Sequence, residues 1–402
     1  ILENMAIDES YQINDLNEPS KRSIKINDRL NWTLPIPYFV DKQLSDRTID
    51  KVLNYISKHT CVTFQKIDSL NFTLKPLYFR KSDECETTVG RSRLQNYTEI
   101  KLTTECSKDF GELAIDVSSI LGLHHEHQRI DRGQYIKINF TNVPKGYASQ
   151  ISTKDSEMIY TTFNSSYDYG SIMHFPSVLD GKEVMVSKKS SLYNKMMGQR
   201  IGLSFNDFRL INYYYCLRNC SEYKIECKNS GYKDWKTCTR CICPKGYRDW
   251  NCKYIDRHFS YCGSSEIIST NNVTRLQVNG IKKCNYEIKS KIGTNIIINI
   301  ISVKTKEKEI CSQGFGFEIK YLKDKATSGL CLCGTYSYIT IVSEGKSVYI
   351  EYNGNSKDDK FILDYVDAPS GTTKPSIQDI DAQSIRKKIK MTKRLTKNKK
   401  IR

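Results

Sequence analysis

The sequence predicts a multidomain chain: an α+β domain, then a small disulfide-rich module, then an all-β sandwich. Three observations predict it. Within residues 45–121, one-sided helical patterns alternate with short apolar runs. Six cysteines then crowd into residues 220–252. From 262 to 367 the text changes to β-branched runs separated by turn residues. At 402 residues the chain is long enough to bury several cores.

Taken in order, residues 1–22 are polar and acidic, without periodicity, and end in Lys21-Arg22 before Ser23. The first residue is Ile1 and no apolar targeting core follows, so a signal peptide is expected to have been removed already. The dibasic pair reads either as a processing site closing a pro-segment remnant or as an ordinary Lys-Arg in a leader. Residues 45–59 place Ile49, Val52, Leu53 and Ile56 on one helical face behind a Ser45 cap. Leu77–Arg80 and Glu99–Leu102 read as strands. Residues 109–121 read as a helix with Leu113, Val117, Ile120 and Leu121 close to one face, weakened by Ser118 and Ser119. From 368 onward Pro, Gly and Thr give way to a lysine-rich tail expected to be disordered.

Fifteen cysteines, mostly clustered, argue for an oxidising compartment, and their odd number leaves one without a partner inside the chain. Sequons stand at Asn31, Asn71, Asn96, Asn139, Asn164, Asn219 and Asn272, as suits a secreted glycoprotein. Net charge is +17, but residues 384–402 hold ten Lys or Arg and no acid. The body is therefore only mildly basic, and no nucleic-acid partner is expected. No apolar run approaches the ~20 residues of a transmembrane helix.

The decisive stretch is Cys106–Arg132. Its second half, Gly122-Leu-His-His125-Glu126-His-Gln-Arg129-Ile-Asp131-Arg132, resembles the zinc signature of the astacin family of secreted metzincin endopeptidases, H-E-x-x-H-x-x-G-x-x-H-E-x-x-R-x-D-R. In that signature two histidines one helical turn apart face a single metal, and a glycine breaks the helix so that a third can close the site. Anchoring on Gly122 and His125 puts Ile115 and Ser119 where the first two ligands belong, and Asp116 where the catalytic glutamate belongs. The six histidines are His59, His124, His125, His127, His174 and His258, and none has another four residues on, so no shift of register restores the pair.

Tyr167-Asp-Tyr-Gly-Ser-Ile-Met173-His-Phe175 resembles the family's Met-turn, with Met173 expected beneath the metal and Phe175 at the position of the zinc-binding tyrosine. The resemblance implies an astacin-like peptidase domain over 23–216, an EGF-like module over 217–253 and a CUB-like sandwich over 262–367. It also implies the disulfides Cys61–Cys216 and Cys85–Cys106, then Cys220–Cys238, Cys227–Cys241 and Cys243–Cys252. In the sandwich it implies Cys262–Cys284 and Cys311 with Cys331 or Cys333, Cys333 being favoured because Gly334 follows it. Glu126 would meet the buried mature N-terminus. Arg129, Asp131 and Arg132 would support the lower lobe.

Zinc is the cofactor the family implies, and this chain is expected to lack it. Ile115 has no lone pair and Ser119 is a poor neutral ligand, so of the three family ligands only His125 remains. Asp116 is one methylene short of the general base, and Phe175 has no hydroxyl. His124, His125 and His127 suggest a makeshift metal site, but neighbours just past a helix are not expected to converge as i,i+4 histidines do. The expected function is that of a secreted, extracellular pseudopeptidase that binds proteins or peptides. The alternative is an active zinc-dependent metalloendopeptidase hydrolysing extracellular proteins. The basic tail is a candidate for glycosaminoglycan binding, against the plainer reading of a solvated tail.

Overall fold

The computed structural model describes residues 24–25, 31–92, 94–152, 160–216, 220–257, 259–372 and 375–379. Lys21-Arg22 and the basic run 384–402 lie outside them.

The first domain is built on the helix Asp46–His59, whose Ile49, Val52, Leu53 and Ile56 are all buried. Ser45 does occupy its N-cap position with extended backbone, but the hydroxyl makes no capping hydrogen bond there. This helix packs against a five-stranded sheet in the order Phe64–Lys66, Ile36–Val40, Leu77–Lys81, Thr98–Leu102, Glu86–Thr87. The first four strands are parallel and the short last one is antiparallel, so it forms one edge. Alternation in these strands sends Leu77, Phe79, Ile100 and Leu102 into the core. The helix Phe110–Ile120 lies in the same cluster, and the helix Phe205–Tyr215 closes the domain behind a reciprocal Ser204–Asp207 capping box. Disulfides join Cys61 to Cys216 and Cys85 to Cys106.

Residues 220–257 form two small hairpins pinned by Cys220–Cys238, Cys227–Cys241 and Cys243–Cys252. So little apolar surface could not hold a fold this small without covalent staples.

The last domain is a sandwich of two five-stranded sheets. One runs Glu266–Ser269, Lys283–Ser290, Ser347–Asn353, Gly316–Lys320, Leu330–Leu332; the other runs Thr274–Asn279, Lys360–Asp367, Ile296–Lys304, Thr335–Val342, Ser376–Asp379. Ser376–Asp379 corrects the expectation that everything after 368 is disordered: this short segment pairs antiparallel with Thr335–Val342 at the sheet edge. Disulfides join Cys262 to Cys284 and Cys311 to Cys333, leaving Cys331 free and buried. Burial pushes the Cys331 thiol well up, away from the reactive thiolate.

The sandwich does not hang from a tether. One apolar cluster runs continuously from Tyr167, Tyr193 and Met196 in the first domain to Phe317, Tyr321 and Leu332 in the sandwich. The small module joins in through Tyr247, whose ring lies 5.6 Å from that of Tyr349. Among the described residues no helix is long and apolar enough to cross a membrane.

Candidate functional site

The Asp109 carboxylate caps the Phe110–Ile120 helix by accepting the Glu112 N–H at 3.0 Å. Ser118 and Ser119 lie in its last turn, where they do not interrupt it. Gly122 then takes a φ of 102°, a conformation other residues resist, and the chain passes through His124 and an extended His125 into a 3-10 turn, Glu126–Gln128. The edge of the sheet reaches down to this corner, where the Gly90 N–H meets the Ser119 carbonyl at 2.8 Å.

Ile115 and Ser119 are both buried on this helix. Asp116, one residue on, stays partly exposed and makes no side-chain hydrogen bond among the described residues. Burial, with the Glu112 charge adding to it, pushes the Asp116 carboxyl up to about 7. His125 sits across from them, its Nδ1 3.1 Å from the Met173 carbonyl. A carbonyl can only accept, so Nδ1 donates in this contact. Met173 is buried beneath.

His125 and His127 have ring centroids 5.2 Å apart, and His174 lies 5.9 Å from His127. Among the described residues no three His, Cys, Asp or Glu side chains gather as a metal site. The 3-10 turn swings His127 toward the segment 167–175, where Phe175 stacks on it at 4.4 Å. Their nitrogens are largely committed elsewhere. His127 Nε2 lies 3.0 Å from the Gln150 carbonyl and its Nδ1 accepts the Phe175 N–H at 3.3 Å. His174 lies between the Tyr167 hydroxyl at 2.8 Å and the Phe175 carbonyl at 2.7 Å. Burial holds His174 down to about 4 and His127 well below its ordinary value. Neutral imidazoles serving as packing and hydrogen-bonding groups explain this arrangement.

Glu126 is buried and pairs with Arg129 at 2.8 Å, while Arg129 also holds Asp131 through two bonds of 2.9 Å. The pairing expected between Glu126 and the N-terminus falls on residues outside the described ones. In the described structure its carboxylate serves Arg129 and the Asp168 N–H, the latter at 2.9 Å. Burial pushes Glu126 up to about 7 against the pull of Arg129.

Comparison with known proteins decides the family of the first domain. The family model for astacin peptidases matches residues 25–216. Residues 25–216 are an astacin domain. The zinc metalloproteinase nas-34 of Caenorhabditis elegans is 28% identical over 332 residues, covering 80% of this chain and 53% of that protein. The zinc metalloproteinase nas-23 of the same species is 31% identical over 337 residues, covering 79% and 61%. The chain thus spans a little over half the length of these relatives. Among solved structures, high choriolytic enzyme 1, a hatching enzyme zinc-protease from medaka, is 23% identical with a TM-score of 0.42, covering 47% of this chain and 96% of that one.

The astacin family is zinc-dependent, so the residues can be tested against that metal. At the positions the motif assigns to ligands, this astacin domain offers one imidazole, one neutral hydroxyl and one hydrocarbon side chain. Zinc in such sites takes three protein nitrogens, or two with a carboxylate, and a hydroxyl at Ser119 replaces neither. The donor set does not fit zinc.

Sequence reasoning missed two features of this astacin domain. The first is the pair of buried carboxylates Asp168 and Asp207. Asp207 accepts the Ser171 hydroxyl at 2.6 Å and the Ile172 N–H at 3.3 Å, so it fixes the Met-turn from below. Burial and the Asp168 charge push it up to about 6. The Ser204-x-x-Asp207 capping pattern could have flagged it. The second is that the sandwich reaches this turn, with the Ser328 N–H donating to Asp168 at 3.2 Å. No local pattern announces a contact across 160 residues.

Proposed function

We propose that this chain is a secreted, catalytically silent astacin homologue that works by binding extracellular proteins or peptides through its cleft and accessory modules. The observation that supports it is the replacement of ligands at Ile115 and Ser119, of the base at Asp116 and of the tyrosine at Phe175, inside a fold whose other family parts remain. Each loss alone removes a step. Without three ligands no metal lowers the pKa of a water toward ~7, and without that hydroxide Asp116 has nothing to activate. Retention of Met173, of the Glu126–Arg129–Asp131 network and of the glycine turn at 122 favours a domain kept for its shape. Seven disulfides favour the secretory pathway.

The test is zinc per chain by mass spectrometry on purified, disulfide-intact protein exposed to excess zinc and desalted. A content well below one zinc per chain, with no cleavage of a peptide library, is expected. Tightly held zinc near one per chain would overturn the reading in favour of an active endopeptidase.

A further inference from the structure

The solvent face of the first domain's sheet carries an aromatic stripe. Phe39 and Tyr78 are direct cross-strand partners with ring centroids 5.7 Å apart; Tyr97 lies 6.3 Å from Tyr78, and Phe72 lies 5.3 Å from Tyr97. The outer end of the stripe is open to solvent, Phe72 being 46% and the next-but-one residue, Leu74, 49% exposed. A contiguous exposed apolar patch marks a surface that something covers or that self-associates.

Two sequons are set into that end of the stripe. Asn71-Phe72-Thr73 and Asn96-Tyr97-Thr98 each have one of the touching rings as their middle residue, and both asparagines are exposed. The Asn71 amide oxygen already accepts the Thr73 N–H at 3.0 Å and its hydroxyl at 2.7 Å, which fixes the direction of the side chain. Asn31-Trp32-Thr33 has the same pattern but the opposite environment. Trp32 is buried and donates to the Ile120 carbonyl at 2.9 Å, and the Asn31 amide oxygen is held by the Tyr214 hydroxyl.

We infer that Asn71 and Asn96 carry N-linked glycans whose first sugars lie on the Phe72–Tyr97 pair and cover the aromatic stripe. The apolar C–H face of a pyranose ring packs on an aromatic face, and its hydroxyls keep the outer side wet. Attachment one residue from each ring makes this packing intramolecular, so a weak contact suffices. The covalently bound sugar is thus the occupant that geometry delivers to the patch.

The test uses the full chain secreted behind an added signal peptide from mammalian cells grown with a mannosidase inhibitor. Glycopeptide mapping is expected to find Asn71 and Asn96 occupied. Endoglycosidase H, which leaves one N-acetylglucosamine, should keep binding of an apolar dye at its starting level. Complete removal with peptide N-glycosidase on the folded protein should raise it severalfold, and Phe72→Ser should largely cancel that rise. A bare Asn71 or Asn96, a rise already at the one-sugar stage, or no rise after complete removal overturns the inference. It rests on the secretory reading above: a chain that is retained in the cells without glycans fails that reading, whereas one secreted but bare at these sites fails this one alone.

Discussion

Arg209 grips Asp324 through two hydrogen bonds of 3.2 and 2.8 Å, and so bolts the closing helix of the astacin domain to a loop of the sandwich. Both side chains are nearly buried, and Asp324 also accepts the Ser166 N–H at 3.2 Å. The Arg209 guanidinium beside it holds the Asp324 carboxyl below the usual range, although burial alone would raise it. Four residues on, the same loop sends the Ser328 N–H to Asp168. The sandwich therefore braces the segment leading into the turn 167–175.

Asp324→Ala should cost about 3 kcal/mol, because it strands a mostly buried guanidinium rather than merely deleting a bond. Differential scanning calorimetry should show the wild-type astacin domain and sandwich melting in one transition, and the variant splitting it in two. Asp324→Asn, which keeps one acceptor oxygen, replaces the other with an NH2 donor and drops the charge, should fall between. Two separate wild-type transitions would refute the coupling.

Gly246 tests the other junction. Its φ of 91° is unfavourable for side chains, and a Cβ there would collide with the Tyr349 ring. Gly246→Ala should destabilise by about 2–4 kcal/mol through strain and overpacking together. Its effect should appear as hydrogen exchange at the small module and the adjoining strand Ser347–Asn353, with the astacin core protected as before.

Asp116 should make stability fall as pH rises. Its folded carboxyl titrates at about 7, above its unfolded value, so the contribution is fully present below that unfolded value and is lost as pH climbs through 7. Asp116→Asn should match the wild type near pH 4 and exceed it at pH 8 by on the order of 2 kcal/mol, once its residual exposure is allowed for. Chemical denaturation at the two pH values reads this directly; equal gains at both would show that the charge is not the cause.

Local signals carried the fold class, and tertiary ones did not reach the sequence level. Ile49, Val52, Leu53 and Ile56 announce a buried helix face because helical spacing alone brings them together. Ser376–Asp379 looks like the start of a polar tail, and becomes a strand only because Thr335–Val342 offers it an open edge. The substitutions at 115, 116, 119 and 175 are plain as letters. The stack of Phe175 on His127 is not, since it depends on a 3-10 turn and a distant loop meeting. Glu126 was recognisable by its place after His125, while its partner within the described structure, Arg129, is one residue of a network that must be seen folded.

The loss of the metal site should be confined to the replaced side chains. His125 is already oriented by its Nδ1–H bond to the Met173 carbonyl. Positions 115 and 119 are one turn apart on an intact helix that the Asp109 cap and the Gly122 turn still define. Histidines placed there share one face, which is the geometry a tetrahedral zinc site needs. Ile115→His with Ser119→His should therefore raise zinc from well below one to about one per chain, measured by mass spectrometry after desalting against a weak chelator. Adding Asp116→Glu and Phe175→Tyr should then bring peptide cleavage above background, since a base of proper length and a hydroxyl would face the metal-bound water. Zinc binding without cleavage in the fourfold variant would place the remaining defect in substrate access. Failure to bind zinc at all would mean that the backbone around His125 has drifted from ligand geometry.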